Sequence, residues 1–112
     1  MHLMLLGKET QGGGSPTLYA TDRGTYLVQG WRVLGEPSNI VEIPESLLRH
    51  LPAGAALETT LHATGRRWRG DSGECATYTL AGVAVTDPTI EAELSVPDHE
   101  ACVEVAQRRG DG

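Results

Sequence analysis

The stretch Thr17-Leu18-Tyr19-Ala20-Thr21-Asp22-Arg23-Gly24-Thr25-Tyr26-Leu27-Val28-Gln29 decides the fold class. Runs rich in Thr, Tyr, Leu and Val flank an Asp-x-Gly cluster, the pattern of a β-hairpin closed by the loop Thr21–Gly24. Working outward, Gly30 interrupts the run before Trp31-Arg32-Val33-Leu34, which predicts a bulge or tight bend. Gly35–Asn39 has the composition of a turn, and Ile40–Ile43 reads as another short strand. On the N-terminal side, His2–Leu6 is short, apolar and ended by Gly7, so it reads as a strand as well. Between the two, Lys8–Pro16 reads as a mobile loop, because Gly12-Gly13-Gly14 maximises backbone freedom. It lacks the Gly-Lys-Ser/Thr ending of a phosphate-binding loop.

Further along, Pro44–Leu51 carries proline at the first helical position, an acid in the first turn and a cation near the end, so a short helix is expected. Ala56–Ala63 alternates apolar and polar residues, the period of a half-exposed strand. Thr64–Gly73 concentrates Arg66, Arg67 and Arg69 around Trp68 and reads as a basic loop. Cys75–Leu80, Val83–Val85 and Ala101–Val105 are expected strands. Asp87 and Pro88 predict the N-cap and first residue of a second short helix ending at Leu94. The chain also echoes itself. Thr25-Tyr26-Leu27-Val28-Gln29-Gly30-Trp31-Arg32-Val33 aligns without gaps on Thr77-Tyr78-Thr79-Leu80-Ala81-Gly82-Val83-Ala84-Val85, and Ile40–Ile43 on Cys102–Val105. The expectation is one α+β domain over residues 1–106, predominantly antiparallel β with two short helices. Two refinements stay open: degenerate repeats at 17–63 and 64–106, and their closure into a small barrel. Residues 107–112 are expected to form a disordered tail.

Composition limits the function classes. The chain has 112 residues, and its 15 acids against 9 Lys and Arg give a formal charge of −6, which argues against a general nucleic-acid binder. No apolar run approaches the roughly 20 residues of a membrane span. Met1–Gly7 lacks the basic segment and cleavage site of a signal peptide, so a cytoplasmic location is expected. Fourteen Gly, six Pro and no Phe describe a thin core with many turns. Cys75 and Cys102 have no metal-ligand spacing, so they are expected to be reduced structural thiols, with no metal and no cofactor.

The string from Ser15 to Trp31, with Val41-Glu42-Ile43-Pro44, Thr77–Leu80, Val85-Thr86-Asp87-Pro88 and Pro97-Asp98-His99-Glu100, resembles a family of small actinobacterial proteins. That resemblance implies a place beside helix-turn-helix regulators and their acidic companion proteins, and no particular reaction. Locally, Val41–Leu48 with Leu51, Gly54 and Leu57-Glu58 resembles the swapped-hairpin transition-state regulators, in which a strand enters Ile-Pro, a short helix follows and a Gly turn leads to the next strand. Those proteins carry basic residues beside the Ile-Pro, whereas Glu42 and Glu45 stand here, a sign that would repel DNA.

No nucleophile–base pair, metal cluster or phosphate loop emerges, so no catalytic residue is assigned. His99 and Cys102 fall on opposite faces of one strand by parity, which separates them. His50 and His62 have no evident partner. The leading expectation is a non-enzymatic regulatory protein that binds a basic protein partner, such as a DNA-binding regulator, with Asp22, Arg23, Glu42 and Glu45 at the interface. Against it stands a small cofactor-free enzyme or ligand-binding protein whose pocket is lined by Tyr26, Trp31, Trp68 and Tyr78. A third reading is direct DNA binding through the Ile-Pro element. A homodimer is compatible with each.

Overall fold

In the computed structural model, which describes residues 1–9, 16–70 and 73–108, the Thr17–Gln29 stretch forms the expected hairpin. The elements in order are β1 (Leu3–Lys8), β2 (Thr17–Thr21), β3 (Thr25–Arg32), β4 (Ile40–Pro44), a 3₁₀ helix (Glu45–His50), β5 (Ala56–Leu57), β6 (His62–Gly70), β7 (Gly73–Ala81), β8 (Val83–Ala84), α1 (Pro88–Leu94) and β9 (Glu100–Arg108). Every strand pair is antiparallel. The sheet runs β1-β2-β3-β4-β7-β6, with β9 on the far edge of β3 and β5 and β8 alongside β9. Because β1 and β6 end the path without meeting, the sheet is open, and the small barrel does not form. No helix among the described residues is long and apolar enough to cross a membrane.

Strand alternation sends Leu18, Val28, Val41, Ile43, Leu80 and Val103 to one face of the sheet, where they are fully or almost fully buried with Tyr26. Leu47 of the 3₁₀ helix closes that core. On the opposite face α1 lays Ile90 and Leu94 over Leu27 and Cys102. Each such buried aliphatic side chain contributes about 1.5–3 kcal/mol.

Four local expectations change. Pro44 remains extended (φ −76°, ψ 146°) and paired with Thr77, so the segment after it starts one residue later and closes as a 3₁₀ helix rather than an α-helix. Ala56–Ala63 is not one strand: β5 covers only Ala56 and Leu57. The expected basic loop is instead mostly strand, because β7 offers it a ladder of Arg67 with Ala76, Trp68 with Cys75 and Arg69 with Glu74, beyond a bulge at Ala63/Arg67. Finally, β9 extends to Arg108, and Gln107 and Arg108 pair with Leu57 and Ala56, so the first two residues of the expected tail are in the sheet. The Gly12-Gly13-Gly14 loop and positions 109–112 lie outside the described residues. The second helix, α1, matches its expected bounds; Asp87 caps it by accepting from the Thr89 amide at 2.9 Å, and Ser95 ends it in the left-handed region at φ 53°.

The two segments that echo each other in sequence also pair alike. Thr25, Tyr26, Leu27 and Val28 face Ala106, Val105, Glu104 and Val103, just as Thr77, Tyr78, Thr79 and Leu80 face Pro44, Ile43, Glu42 and Val41. Trp31 and Arg32 face Glu42 and Val41, as Val83 and Ala84 face Glu104 and Val103. Glycine marks the same bend in each. A Cβ on Gly30 would lie 2.6 Å from the Glu42 carbonyl oxygen and 2.9 Å from Ile43 Cγ2; one on Gly82 would lie 2.7 Å from the Glu104 carbonyl oxygen and 3.0 Å from Val105 Cγ2. At Gly30 the bend lets β3 exchange β2 for β4 along one edge.

Candidate functional site: two polar clamps and their clefts

The hairpin tip Thr21–Thr25 folds around a threonine. Thr21 Oγ1 accepts from the Arg23 amide at 3.1 Å and the Thr25 amide at 3.2 Å, while Gly24 supplies the positive φ (+74°) of the turn. This geometry aims both side chains at β9: Arg23 Nη2 donates to Glu104 Oε1 at 2.7 Å and Thr25 Oγ1 to Glu104 Oε2 at 2.6 Å. The same clamp recurs across the sheet. Thr64 Oγ1 accepts from the Arg66 amide at 3.0 Å, Arg66 Nη2 donates to Glu42 Oε1 at 2.5 Å, and Thr77 Oγ1 donates to Glu42 Oε2 at 2.7 Å. Burial alone would raise the Glu42 carboxyl; the Arg66 guanidinium and the Thr77 hydroxyl outweigh it and hold the group below its ordinary value. Each half therefore supplies the glutamate of the other half's clamp.

This geometry exposes a pattern that sequence reasoning missed. Thr17-Leu18-Tyr19-Ala20-Thr21-Asp22-Arg23 and Thr60-Leu61-His62-Ala63-Thr64-Gly65-Arg66 agree at five of seven positions. The ladders equate them: Tyr19 and Ala20 face Leu27 and Tyr26, as His62 and Ala63 face Thr79 and Tyr78.

A surface cleft lies beside each clamp. One, about 290 Å³, is lined by Arg32, Val33, Leu34, Glu42 and Arg66. The other, about 310 Å³, is lined by Met1, Arg23, Ala84, Val85, Thr86 and Glu104, with Asp87, the N-cap of α1, and Ile90 within that helix.

The residues expected at a partner interface divide. Asp22 and Glu45 are exposed, although Glu45 accepts a hydrogen bond from the Tyr78 hydroxyl at 3.0 Å, which raises the Tyr78 pKa. Glu42 is not the free surface acid expected: its side chain is 13% exposed and held by Arg66 and Thr77. Arg23 is exposed at the tip but committed to Glu104.

The four aromatic residues do not gather around one pocket. Tyr26 is buried in the main core, whereas alternation puts Trp31 on the opposite face. There Trp31 meets Trp68, with ring centroids 5.6 Å apart and planes tilted by 52°. Arg67 pairs with Glu74 across the hairpin, and Arg69 is exposed.

Two buried carboxylates complete the polar inventory. Glu9, which sequence reasoning passed over, has a wholly buried side chain with Oε2 2.7 Å from His50 Nε2 and 3.5 Å from Arg49 Nη2. Glu100 is likewise buried and accepts from Gln29 Nε2 at 2.8 Å, with His99 Nε2 at 3.3 Å. Burial raises the Glu100 carboxyl, against the opposing pull of Gln29 and His99. Among the described residues, Glu9 Oε1 has no hydrogen-bond partner, and Glu100 Oε2 has none beyond its contact with His99. Cys102 borders a cavity of about 170 Å³ with Arg32, Ser38 and Glu91, but burial, reinforced by Glu104 and Glu91, pushes its thiol up to about 12, so it is protonated and a poor nucleophile at neutral pH. Cys75 donates to Ser46 Oγ at 3.5 Å, and both cysteines are free thiols. Among the described residues, no group of three or more His, Cys, Asp or Glu is placed to hold a metal ion.

With Glu42, Glu58, Glu74 and Glu104 tied to arginines, four exposed acids cluster on and beside α1, at Asp87, Glu91, Glu93 and Asp98, while Asp22, Glu36 and Glu45 are exposed singly elsewhere. The last turn of α1 has no basic residue. No family model, curated protein or solved structure matches the chain.

Proposed function

We propose that this protein is a non-enzymatic interaction module that binds a basic protein surface, of the kind a DNA-binding regulator presents, through its acidic side. The observation that carries the reading is the group Asp87, Glu91, Glu93 and Asp98 on and beside α1, none in an ion pair among the described residues, with Asp22, Glu36 and Glu45 as outlying exposed acids. Glu42 and Arg23, engaged in the clamps, act as scaffold instead. Complementary charge of this type mainly accelerates encounter, and its effect is screened over about 8 Å at physiological ionic strength.

The test is binding of a fluorescent Lys/Arg-rich peptide to the full chain across a salt series. Association should slow as ionic strength rises, and the double substitution Glu91→Lys/Glu93→Lys should weaken it at least several-fold while leaving the circular dichroism spectrum unchanged. Salt-independent binding, or equal binding by the charge-reversed chain, would overturn the proposal.

A further inference from the structure

We infer that the two clefts are copies of one docking site in a duplicated unit, and that the copy at Arg32 and Arg66 has been recharged to hold an acidic peptide segment. Duplication rests on four concordant observations: the shared Thr-Leu-x-Ala-Thr-x-Arg string, the identical ladder registers, the glycine bends at Gly30 and Gly82, and the exchanged Arg–Glu–Thr clamps. The same equivalence maps every residue lining the first cleft onto one lining the second. Arg32, Val33, Leu34, Glu42 and Arg66 correspond to Ala84, Val85, Thr86, Glu104 and Arg23.

Against that common frame, charge has diverged. The first cleft holds two arginines and one carboxylate, whereas the second holds one arginine and two carboxylates, Glu104 and Asp87. Arg32 is anchored by its Nε, which donates to the Asp98 carbonyl at 2.8 Å; among the described residues its terminal nitrogens make no hydrogen bond, and its side chain lines both this cleft and the cavity that holds Glu91. Arg66 is 60% exposed beyond its clamp with Glu42. Leu34, where the other copy has Thr86, is 100% exposed and gives the cleft an apolar lip. Charge complementarity and this lip select a short segment carrying a carboxylate beside an apolar side chain. A nucleic-acid strand suits it less, since it carries a phosphate at every nucleotide and the cleft offers only two arginines with no basic stripe beyond it.

The experiment is a titration of the full ¹⁵N-labelled chain, followed by amide shifts, with the blocked tripeptide Asp-Leu-Glu and separately with Lys-Leu-Lys. The acidic probe should saturably move the amides of Val33, Leu34 and Arg66 and leave those of Val85 and Thr86 in place. Arg32→Ala, which installs the other copy's residue outside both clamps, should weaken this by about threefold, as for an exposed ion pair. Arg32→Glu should abolish it and favour the basic probe at the same amides. The inference is overturned if the acidic probe moves none of these amides up to its solubility limit, if it moves both clefts alike, or if Arg32→Glu leaves its titration unchanged. The basic probe's effect on α1 reports the proposed function separately, so either result stands without the other.

Discussion

Replacing Gly82 with alanine should destabilise the protein, and Gly30→Ala should do the same by a similar amount. In both, the new methyl would press on a backbone carbonyl, 2.7 Å away at Glu104 and 2.6 Å away at Glu42, closer than Cβ atoms approach in proteins. Neither carbonyl can yield cheaply, because Glu104 lies in the ladder between β8 and β9 and Glu42 in that between β3 and β4. Val103 and Val105, or Val41 and Ile43, close the other side, and these residues are core. Overpacking of this type costs roughly 1–3 kcal/mol per site, a large part of the roughly 5–15 kcal/mol typical of a domain. Gly24→Ala is the contrast: nothing lies within 4 Å, but φ is +74°, so its cost of about 1–2 kcal/mol is conformational. Asparagine, which tolerates the left-handed region, should recover part of the loss at Gly24 and none at Gly82. Urea unfolding followed by circular dichroism, with the slope against denaturant held constant, measures all of these. Losses below about 0.5 kcal/mol at both Gly30 and Gly82, the range of ordinary surface substitutions, would refute the steric reasoning and the equivalence of the bends.

Two other outcomes follow from the buried polar groups. Cys75 should react first with a thiol reagent in the folded state, and Cys102, 5% exposed with its thiol pushed up to about 12, should react only as the chain unfolds; equal rates would contradict this. Burial raises the Glu100 carboxyl above its unfolded value, so its stabilising contribution is present below the unfolded pKa of about 4.3 and lost as pH rises through the folded value; Glu100→Gln, whose amide oxygen can still accept from Gln29, should therefore gain thermal stability over the parent as pH rises above about 4, and a difference that stays constant over that rise would contradict the assignment.

Much of the fold was legible because its signals are local. The Asp-x-Gly turn, the strand alternation around it, and the Asp87–Pro88 helix start each operate within a few residues. The end of Pro44–Leu51 was equally local, but its start was not. Pro44 is compatible with a helix's first turn and with an edge of a strand, and pairing with Thr77 selects the strand. Arg66–Arg69 reads as a loop because nothing in that string announces its partner; Glu74–Ala76, on the next strand, supplies the ladder. The clamps were the least legible. Glu42 meets Arg66 and Thr77 only after β4 has been placed beside β7, so a charge that looks free in sequence is spent in the fold. The repeated Thr-Leu-x-Ala-Thr-x-Arg string could have disclosed them, but its spacing from the second Thr-Tyr strand is nine residues longer than in the first half, which broke an ungapped comparison.

That extra length also separates what the scaffold requires from what it leaves free. Each half needs a threonine at the hairpin, an arginine beside it, a glycine at the bend and a glutamate on the strand offered to its counterpart, and both halves retain all four. Where one half joins its clamp to the next strand through Gly24 alone, the other inserts the arm from Arg67 to Ala76, whose Trp68 covers Trp31. Where one half joins its last two strands by the Gly35–Asn39 turn, the other inserts α1 with its acids. Both insertions lie outside the strand pairs that the two halves share, so their exposed residues are not constrained by that common register. Neither clamp glutamate can change sign without stranding an arginine and a threonine, whereas Arg32, Glu91 and Glu93 can. Differences in binding between the two sides of this molecule therefore arise at the cleft rims and on α1, over a frame that the two halves hold in common.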